Sequence, residues 1–176
     1  MNKYDIAQIA LYIAALLVLA RPLGAYVAAA LQDKSPFQHR LFGPLERLVY
    51  RLCGINPDEP MTWKSYAGAL LAFNALGFLA VFALQLFQHK LPLNPNNAGP
   101  VDWSLAFNTA ASFMTNTNWQ AYAGETTLGY LTQMLGLGVQ NFLSAATGMA
   151  VFAALARAIT SGKTDNIGNF WADLTR

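Results

Sequence analysis

The stretch SYAGALLAFNALGFLAVFALQLFQH, residues 65–89, decides the fold class, because these 25 consecutive residues contain no Asp, Glu, Lys or Arg. A helix needs about 20 apolar residues to cross the ~30 Å hydrocarbon core of a bilayer. The stretch is therefore predicted to be a transmembrane helix. The composition agrees: 55% of the 176 residues are hydrophobic and 11% are charged, whereas an ordinary soluble domain has about 25% charged residues.

Two further segments predict membrane spans. Residues 5–31 form an apolar stretch interrupted by Arg21-Pro22. Because no small-x-small cleavage site precedes Arg21, a retained helix is favoured over a cleaved signal peptide, which stays as the alternative. Residues 126–156 are uncharged for 31 residues, which predicts a long span that tilts or protrudes. Small residues in this span predict close helix packing: Gly136, Gly138, Ser144, Ala145, Ala146 and Gly148.

The segment between these spans, residues 103–124, is uncharged but has the pattern of a helix only at 104–114, with Asp102 or Ser104 as a plausible N-cap. An apolar run of about ten residues indicates a re-entrant segment rather than a crossing. The following residues, TNTNWQ at 115–120, carry five uncharged polar side chains and one Trp. Non-helical backbone at membrane depth occurs only where protein buries it or where it lines a water-filled cavity. The sequence therefore predicts a re-entrant pore helix and a pore-lining loop.

Neutral oxygens in this loop suit the coordination of potassium. Backbone carbonyls and hydroxyls can replace the hydration shell of the ion without a fixed charge that would trap it. The C-terminal end of the pore helix would also direct its partial negative charge at a cation. An ordinary polar hairpin outside the membrane is the alternative. The candidate filter residues are Thr115, Asn116, Thr117, Asn118 and Gln120.

Loop charge predicts the orientation. Residues 32–64 contain five basic residues, whereas residues 90–125 contain only Lys90. By the positive-inside rule, residues 32–64 form a cytoplasmic loop, and the N-terminus and the filter loop face outward. Residues 159–176 are predicted to form a cytoplasmic tail.

Other kinds of chemistry have little support. Cys53 is the one cysteine, and neither His39 nor His89 has a second ligand at metal-site spacing. The GKT within residues 161–166 lacks the first glycine of a P-loop, because Arg157 stands in its place. The net charge of +2 is small and dispersed, so nucleic acid is not a predicted partner.

Five ordered segments resemble the KdpA family, the potassium-binding, channel-like subunit of the bacterial Kdp potassium-transporting ATPase. The resemblance implies four unequal membrane-pore-membrane repeats around one pore, with filter loops like those of the Trk, Ktr and HKT transporters. It assigns the filter to residues 115–118, with Gln120 beside it at the mouth. The matching segments are VLARPLG (18–24), MTWKSYA (61–67), LPLNP (91–95), LAFNTAASFMTNTNWQ (105–120) and GVQNFLSAATGMAV (138–151).

The expected architecture is an all-α, polytopic membrane protein with three transmembrane helices and one re-entrant pore helix. Residues 65–158 would form the first repeat, with spans at 65–89 and 126–156, and the tail at 159–176 would stop before the next repeat. The chain would then be the N-terminal portion of a longer subunit whose remaining C-terminal repeats complete the pore.

The resemblance implies high-affinity potassium uptake across the bacterial inner membrane. This chain would bind extracytoplasmic potassium as the transported ion, with no bound cofactor and no covalent step of its own. ATP hydrolysis would belong to a catalytic ATPase subunit, assisted by small accessory subunits.

Three other functions stay open. One is a stand-alone potassium channel or ion-symporter subunit, and another is a non-conducting membrane scaffold in which the polar loop makes subunit contacts. An intramembrane hydrolase has the least support, because no local motif brings a Ser and a His together.

Overall fold

The computed structural model describes residues 3–32, 34, 40–160 and 166–176. The chain divides into two compact units, Met1–Asn56 with Arg176, and Pro57–Thr175. The regular structure of the described residues is helical, with no β-strand among them. The predicted all-α class is therefore confirmed. His39 and most of the GKT segment lie outside the described residues.

The first unit contains helix α1, Lys3–Leu31, and helix α2, Gly43–Cys53. Helix α1 continues through Arg21 and Pro22 without a break. Its apolar side chains are exposed around the helix, as expected for a helix whose surroundings are lipid.

Helix α2 lies within the segment predicted to be a cytoplasmic loop. Pro44 stands in its first turn, where a missing amide hydrogen costs nothing, and Gly54 ends the helix with a left-handed φ of 64°. The Tyr50 hydroxyl donates to Glu46 Oε1 at 2.8 Å. Burial, together with this neighbouring carboxylate, raises the pKa of Tyr50 well above its ordinary value.

The second unit begins with helix α3, which Thr62 caps by accepting a hydrogen bond from the Ser65 amide at 3.3 Å. A 3₁₀ turn, Gln88–Lys90, extends α3, and a π-helical segment, Thr132–Gly138, leads directly into α6. The helices are α3 Trp63–Phe87, α4 Trp103–Met114, α5 Gly124–Thr127, α6 Val139–Thr160 and α7 Phe170–Thr175.

Within the described part of the chain, three helical segments are long and apolar enough to cross a membrane: Tyr4–Leu31, Trp63–Lys90 and Thr132–Thr160. The prediction of three spans is confirmed in this sense. The third span starts later than the predicted residue 126, because the chain leaves helical geometry at Leu128, with φ −118° and ψ 137°. Lack of charge alone could not distinguish this break from the span that follows it.

Gln88 at the end of α3 stabilises the break. Its Nε2 donates to the carbonyls of Thr127 at 2.8 Å and Gly99 at 2.5 Å, and its Oε1 accepts from the Gly129 amide at 3.1 Å. One buried side chain thereby satisfies three backbone groups of two loops.

Helix α4 packs against α3 through an apolar cluster in which Ala106 and Ala110 are fully buried. Phe78 of α3 meets Phe107 of α4 edge-on, with ring centroids 5.2 Å apart. Helix α6 presents a buried stripe with the spacing of one helix face. The members of this stripe are Gln140, Ser144, Thr147, Ala150 and Ala154.

The small residues of the third span differ in what they contact. A methyl group on Gly136 would lie 3.5 Å from Leu84 Cδ1 of α3, whereas Gly148 has no atom this close. Close approach also depends on Gly77 of α3, where a methyl group would lie 2.6 Å from Gln140 Oε1. The predicted close packing of small residues is therefore present at Gly136, and the close approach of Gly77 to Gln140 was not predicted.

The predicted tail contains a packed helix. Phe170 of α7 is fully buried and meets the Tyr66 ring of α3 edge-on at 5.4 Å. Arg157 of α6 forms two parallel hydrogen bonds to Asp173, at 2.6 and 2.7 Å. We call these four residues the α7 clamp. Charged residues near the end of the chain thus join the core through a paired contact that no sequence pattern indicated.

Candidate potassium filter after helix α4

Asp102 begins helix α4. Its carboxylate accepts hydrogen bonds from the Ser104 amide, at 2.9 Å, and from the Ser104 hydroxyl. These hydrogen bonds lower the pKa of Asp102. Of the two candidate N-caps, Asp102 is the cap and Ser104 is its donor. This carboxylate is therefore engaged in capping the start of α4 rather than held free for a cation.

The candidate filter follows the last residue of α4, and its amides are bonded to the end of that helix. Asn116 N donates to the Phe113 carbonyl at 3.3 Å. The amides of Thr117 and Asn118 donate to the Ser112 carbonyl at 3.0 and 3.3 Å. The Trp119 amide donates to the Ser112 hydroxyl. The last carbonyls of a helix need such partners, and the filter backbone supplies them.

This bonding determines where the filter carbonyls face. In a trans peptide the N–H and the C=O point in opposite directions. Because the four amides of residues 116–119 point toward α4, the four carbonyls of residues 115–118 point away from it. Among the described residues, no hydrogen-bond donor reaches these four carbonyls. The loop thus presents a row of unused oxygens.

The local sequence explains why the loop can adopt this shape. Asn116 and Asn118 have left-handed backbone conformations, with φ of 58° and 57°. Asn tolerates this region better than β-branched residues do. Thr115, the helix C-cap, has φ −85°. The alternation of Thr and Asn therefore matches a requirement of the backbone as well as supplying polar side chains.

Side-chain hydrogen bonds brace the loop from within. The Thr115 hydroxyl donates to the Ala111 carbonyl at 2.9 Å, and the Thr117 hydroxyl donates to the Ser112 carbonyl at 3.0 Å. Asn118 Nδ2 donates to Asn116 Oδ1 at 3.3 Å.

Helix α6 reaches the loop through one residue. The Ser144 hydroxyl lies 3.3 Å from Asn116 Oδ1 and 2.8 Å from its own helix's Gln140 carbonyl. Helix α6 is thus within hydrogen-bonding distance of the candidate filter loop.

The structure brings four of the five predicted filter residues into one braced loop. Gln120 lies beyond it, exposed, and makes no hydrogen bond among the described residues. Sequence reasoning missed Ser112 and Ser144, which hold the loop. A hydroxyl in the last turn of a short helix before a polar loop is a signal that could have identified Ser112.

The surface of the loop is neutral and open. Residues 115–120 are all exposed, and no Asp, Glu, Lys or Arg occurs between residues 103 and 124. An ion at this loop would meet oxygen dipoles and no fixed charge. Such a surface can bind a monovalent cation without trapping it.

A groove of about 890 Å³ lies beside the loop, between α3, α4 and α6. Its polar lining includes Asn74, Ser144 and Thr147 together with Thr115 and Asn116. Asn74 Nδ2 donates to the Leu70 carbonyl at 2.9 Å and the Thr147 hydroxyl to the Leu143 carbonyl at 2.8 Å. The single hydroxyl hydrogen of Thr147 is thus bonded, which leaves its oxygen as an acceptor, whereas Asn74 keeps its Oδ1 acceptor and one further Nδ2 hydrogen.

Side chains that commonly bind metal ions do not cluster elsewhere in the described residues. No group of three or more His, Cys, Asp or Glu side chains within 3–32, 34, 40–160 and 166–176 is arranged to hold a metal ion. Cys53 is exposed and makes no disulfide.

Residues 10–176 match the family model KdpA, described as the potassium-transporting ATPase A subunit. The chain belongs to the KdpA family. The resemblance seen in the sequence is therefore confirmed, over nearly the whole chain.

Curated relatives in the KdpA family are named potassium-transporting ATPase potassium-binding subunit. The protein of Sorangium cellulosum is 58% identical over 169 residues, which cover 96% of this chain and 29% of that protein. The protein of Ralstonia pickettii is 56% identical over 176 residues, which cover 100% of this chain and 30% of that protein. This chain thus spans about 30% of the length of the relatives it matches. Family membership and the three apolar helices together establish a membrane protein.

Proposed function

We propose that this chain is the N-terminal part of a potassium-binding and potassium-translocating subunit in an ATP-driven uptake complex. The observation that carries the proposal is the row of four carbonyls at Thr115–Asn118, which are turned away from α4 and accept no hydrogen bond from the described residues. Oxygens of this kind replace the water around a dehydrated potassium ion.

The filter would close around the ion from several loops. One loop faces the ion from one side only, so further repeats of the longer subunit would supply the opposing oxygens. The C-terminal end of α4 contributes a partial negative charge that favours a cation at the loop. Neutral side chains at residues 115–120 let the ion leave again.

Energy for uptake would come from a partner. The names of the relatives describe a potassium-binding subunit of a potassium-transporting ATPase, and we assign ATP hydrolysis to a different, catalytic subunit. Small accessory subunits would complete the complex. This chain's part in the reaction is ion coordination.

The membrane is the bacterial inner membrane, with the N-terminus and the filter loop on the extracytoplasmic side. Support comes from loop charge: residues 32–64 contain five basic residues and residues 90–125 contain one. Potassium would enter the filter from outside and pass toward the groove beside Asn74, Ser144 and Thr147.

The test is a charge substitution at the filter mouth, made in the full-length subunit within its complex. Gln120→Arg places a positive charge beside the row of carbonyls, where it repels a cation at close range. We expect the KM for potassium uptake to rise by about tenfold or more, which corresponds to about 1.4 kcal/mol of repulsion.

The matched control is Asn96→Arg. Asn96 is also exposed and uncharged, and its one side-chain contact among the described residues is a long 3.4 Å hydrogen bond to the Glu125 carbonyl. Gln133 would be a poor control, because its Nε2 bonds the carbonyls of Gly124 and Leu128 at 3.2 and 3.1 Å. Equal changes in KM for Gln120→Arg and Asn96→Arg would count against a filter at residues 115–120.

A further inference from the structure

Ser112 accepts hydrogen bonds from the candidate filter through its backbone carbonyl and also through its side-chain hydroxyl. It lies in the last turn of α4 and is 8% exposed. Its carbonyl accepts from the amides of Thr117 and Asn118 and from the Thr117 hydroxyl at 3.0 Å, and the Thr115 hydroxyl lies 3.2 Å from it. Every residue has such a carbonyl, so these contacts do not depend on the serine side chain.

The hydroxyl of Ser112 makes the contact that does depend on it. Ser112 Oγ accepts the hydrogen bond of the Trp119 amide, seven residues along the chain. Its second neighbour is the Thr117 hydroxyl, at 3.4 Å. Among the amides of residues 116–119, the Trp119 amide is therefore the one bonded to a side chain.

The Trp119 amide belongs to the same peptide group as the Asn118 carbonyl. Because the two point in opposite directions, the bond to Ser112 Oγ aims the Asn118 carbonyl away from α4. Asn118 has the second of the two left-handed conformations, and its carbonyl ends the row of four. A peptide group next to a left-handed residue needs such an anchor, since few non-glycine residues adopt that conformation unaided.

We propose that Ser112 is a positioning residue of the potassium filter, whose hydroxyl fixes the peptide group between Asn118 and Trp119 and so aims the Asn118 carbonyl at the ion. The proposal rests on the proposed potassium-binding function. Ser112 does not touch the ion: it acts through the Trp119 amide. Without the hydroxyl, the amide loses its acceptor and turns toward water, and the carbonyl turns with it.

This role differs from that of a serine that merely fills space in a helix. Serine is a mediocre helix former, since its hydroxyl competes for backbone hydrogen bonds. Here that hydroxyl bonds the loop beyond the helix instead. Loss of the hydroxyl should therefore change which ions the filter accepts, and not only how stable the subunit is.

The variants are Ser112→Ala, which removes the acceptor, and Ser112→Thr, which keeps it. The control is Ser104→Ala on the same helix: the Ser104 hydroxyl contacts Asp102, and the Asp102 cap still accepts the Ser104 amide. All are made in the full-length subunit within its complex. Two measurements are made on each, potassium and rubidium uptake in cells, and amide hydrogen exchange at Trp119 in the purified complex.

For Ser112→Ala we expect the KM for potassium to rise about tenfold, as the loss of one hydrogen bond gives. The preference for potassium over rubidium should fall, and the Trp119 amide should exchange faster. Ser112→Thr should restore all three, and Ser104→Ala should resemble the wild type.

Two results would overturn the proposal. One is an unchanged rate of exchange at Trp119 in Ser112→Ala, which would show that the hydroxyl does not hold this amide. The other is faster exchange at Trp119 in Ser112→Ala while its KM for potassium and its ion preference stay the same as those of Ser104→Ala. This result would show that the peptide group held by Ser112 does not contribute to the filter. A wild-type complex with no potassium-dependent uptake would instead refute the proposed function, and the exchange result would still report on the hydrogen bond.

Discussion

At the scale of single residues, the shape of the candidate filter loop depends on which side chains tolerate a left-handed backbone. Asn116 and Asn118 have φ near 58°, whereas the threonines between and before them are β-branched. A β-branched residue at positive φ is a strained exception. The order Thr-Asn-Thr-Asn therefore cannot be shifted by one position without strain at two sites.

Exchanging Asn118 separates its backbone role from its side chain. In the full-length subunit, Asn118→Val should raise the KM for potassium about tenfold, because Val at this φ costs about 1–2 kcal/mol. Asn118→Gly keeps the conformation and loses only the 3.3 Å bond to Asn116 Oδ1, so its KM should rise less than about threefold. Equal losses in the two variants would show that the side chain, not the backbone conformation, matters.

Gly168 is another residue whose backbone restricts the side chain. It has φ 107°, and a methyl group there would collide with Arg157 Nη1 and lie 3.3 Å from Asp173 Oδ2. Gly168→Ala should therefore disturb the Arg157–Asp173 pair of the α7 clamp and destabilise the subunit by at least about 2 kcal/mol.

Thermal unfolding of the solubilised complex measures this effect. The control is Gly99→Ala, because Gly99 has no atom within 4 Å of the position of a new methyl group. Equal thermal unfolding midpoints for Gly168→Ala and Gly99→Ala would contradict the prediction that a methyl group at Gly168 collides with Arg157.

At the scale of elements, one glutamine joins the end of α3 to the loops on either side of the filter. Gln88 is 1% exposed and bonds backbone groups of Gly99, Thr127 and Gly129. Gln88→Leu would leave three backbone groups without this partner, and each unsatisfied buried group costs about 1–3 kcal/mol.

We expect Gln88→Leu to lower the unfolding midpoint of the complex clearly, and His89→Leu to leave it nearly unchanged. His89 is the exposed neighbour of Gln88 in the same 3₁₀ turn. A His89→Leu variant as unstable as Gln88→Leu would mean that added apolar surface, rather than lost hydrogen bonds, is responsible.

The elements differ in how well the sequence predicted them. The second span was predicted closely, because an uncharged run of 25 residues has one physical explanation. Helix α4 was anticipated within two residues by its apolar pattern and Asp102. The late start of the third span depends on Gln88, 41 residues from Gly129, and α7 packs through Arg157 and Asp173. Contacts so distant in sequence leave no periodic pattern.

The sequence predicted which residues form the candidate site, and their role as a filter stays a prediction. The geometry of the loop was not predicted. Uncharged polar residues after a short helix predicted a pore-lining loop at 115–120, and the resemblance to the KdpA family assigned the filter to 115–118 with Gln120 beside it. The direction of the carbonyls depends on the bonds from residues 116–119 to the end of α4, which composition does not encode. Ser112 escaped notice because one serine in an apolar helix is common.

At the scale of the whole molecule, the orientation across the membrane is testable with cysteines. Cys53 is exposed in α2, within the basic segment, and Asn97 is exposed in the loop before α4. In a full-length subunit stripped of other cysteines, Cys53 should react with a membrane-impermeant reagent only from the cytoplasm. Asn97→Cys, made without Cys53, should react from outside. Labelling of both from one side would refute the proposed orientation.

The central claim is that the carbonyls of Thr115–Asn118 coordinate potassium. Thallous ion is a potassium substitute that scatters anomalously, so the full-length complex crystallised with it shows where the ion binds. The account predicts an anomalous peak against these four carbonyl oxygens, on the side away from α4, that disappears when potassium is added in excess. Thallous sites elsewhere in the complex, with no peak at Thr115–Asn118, would contradict it.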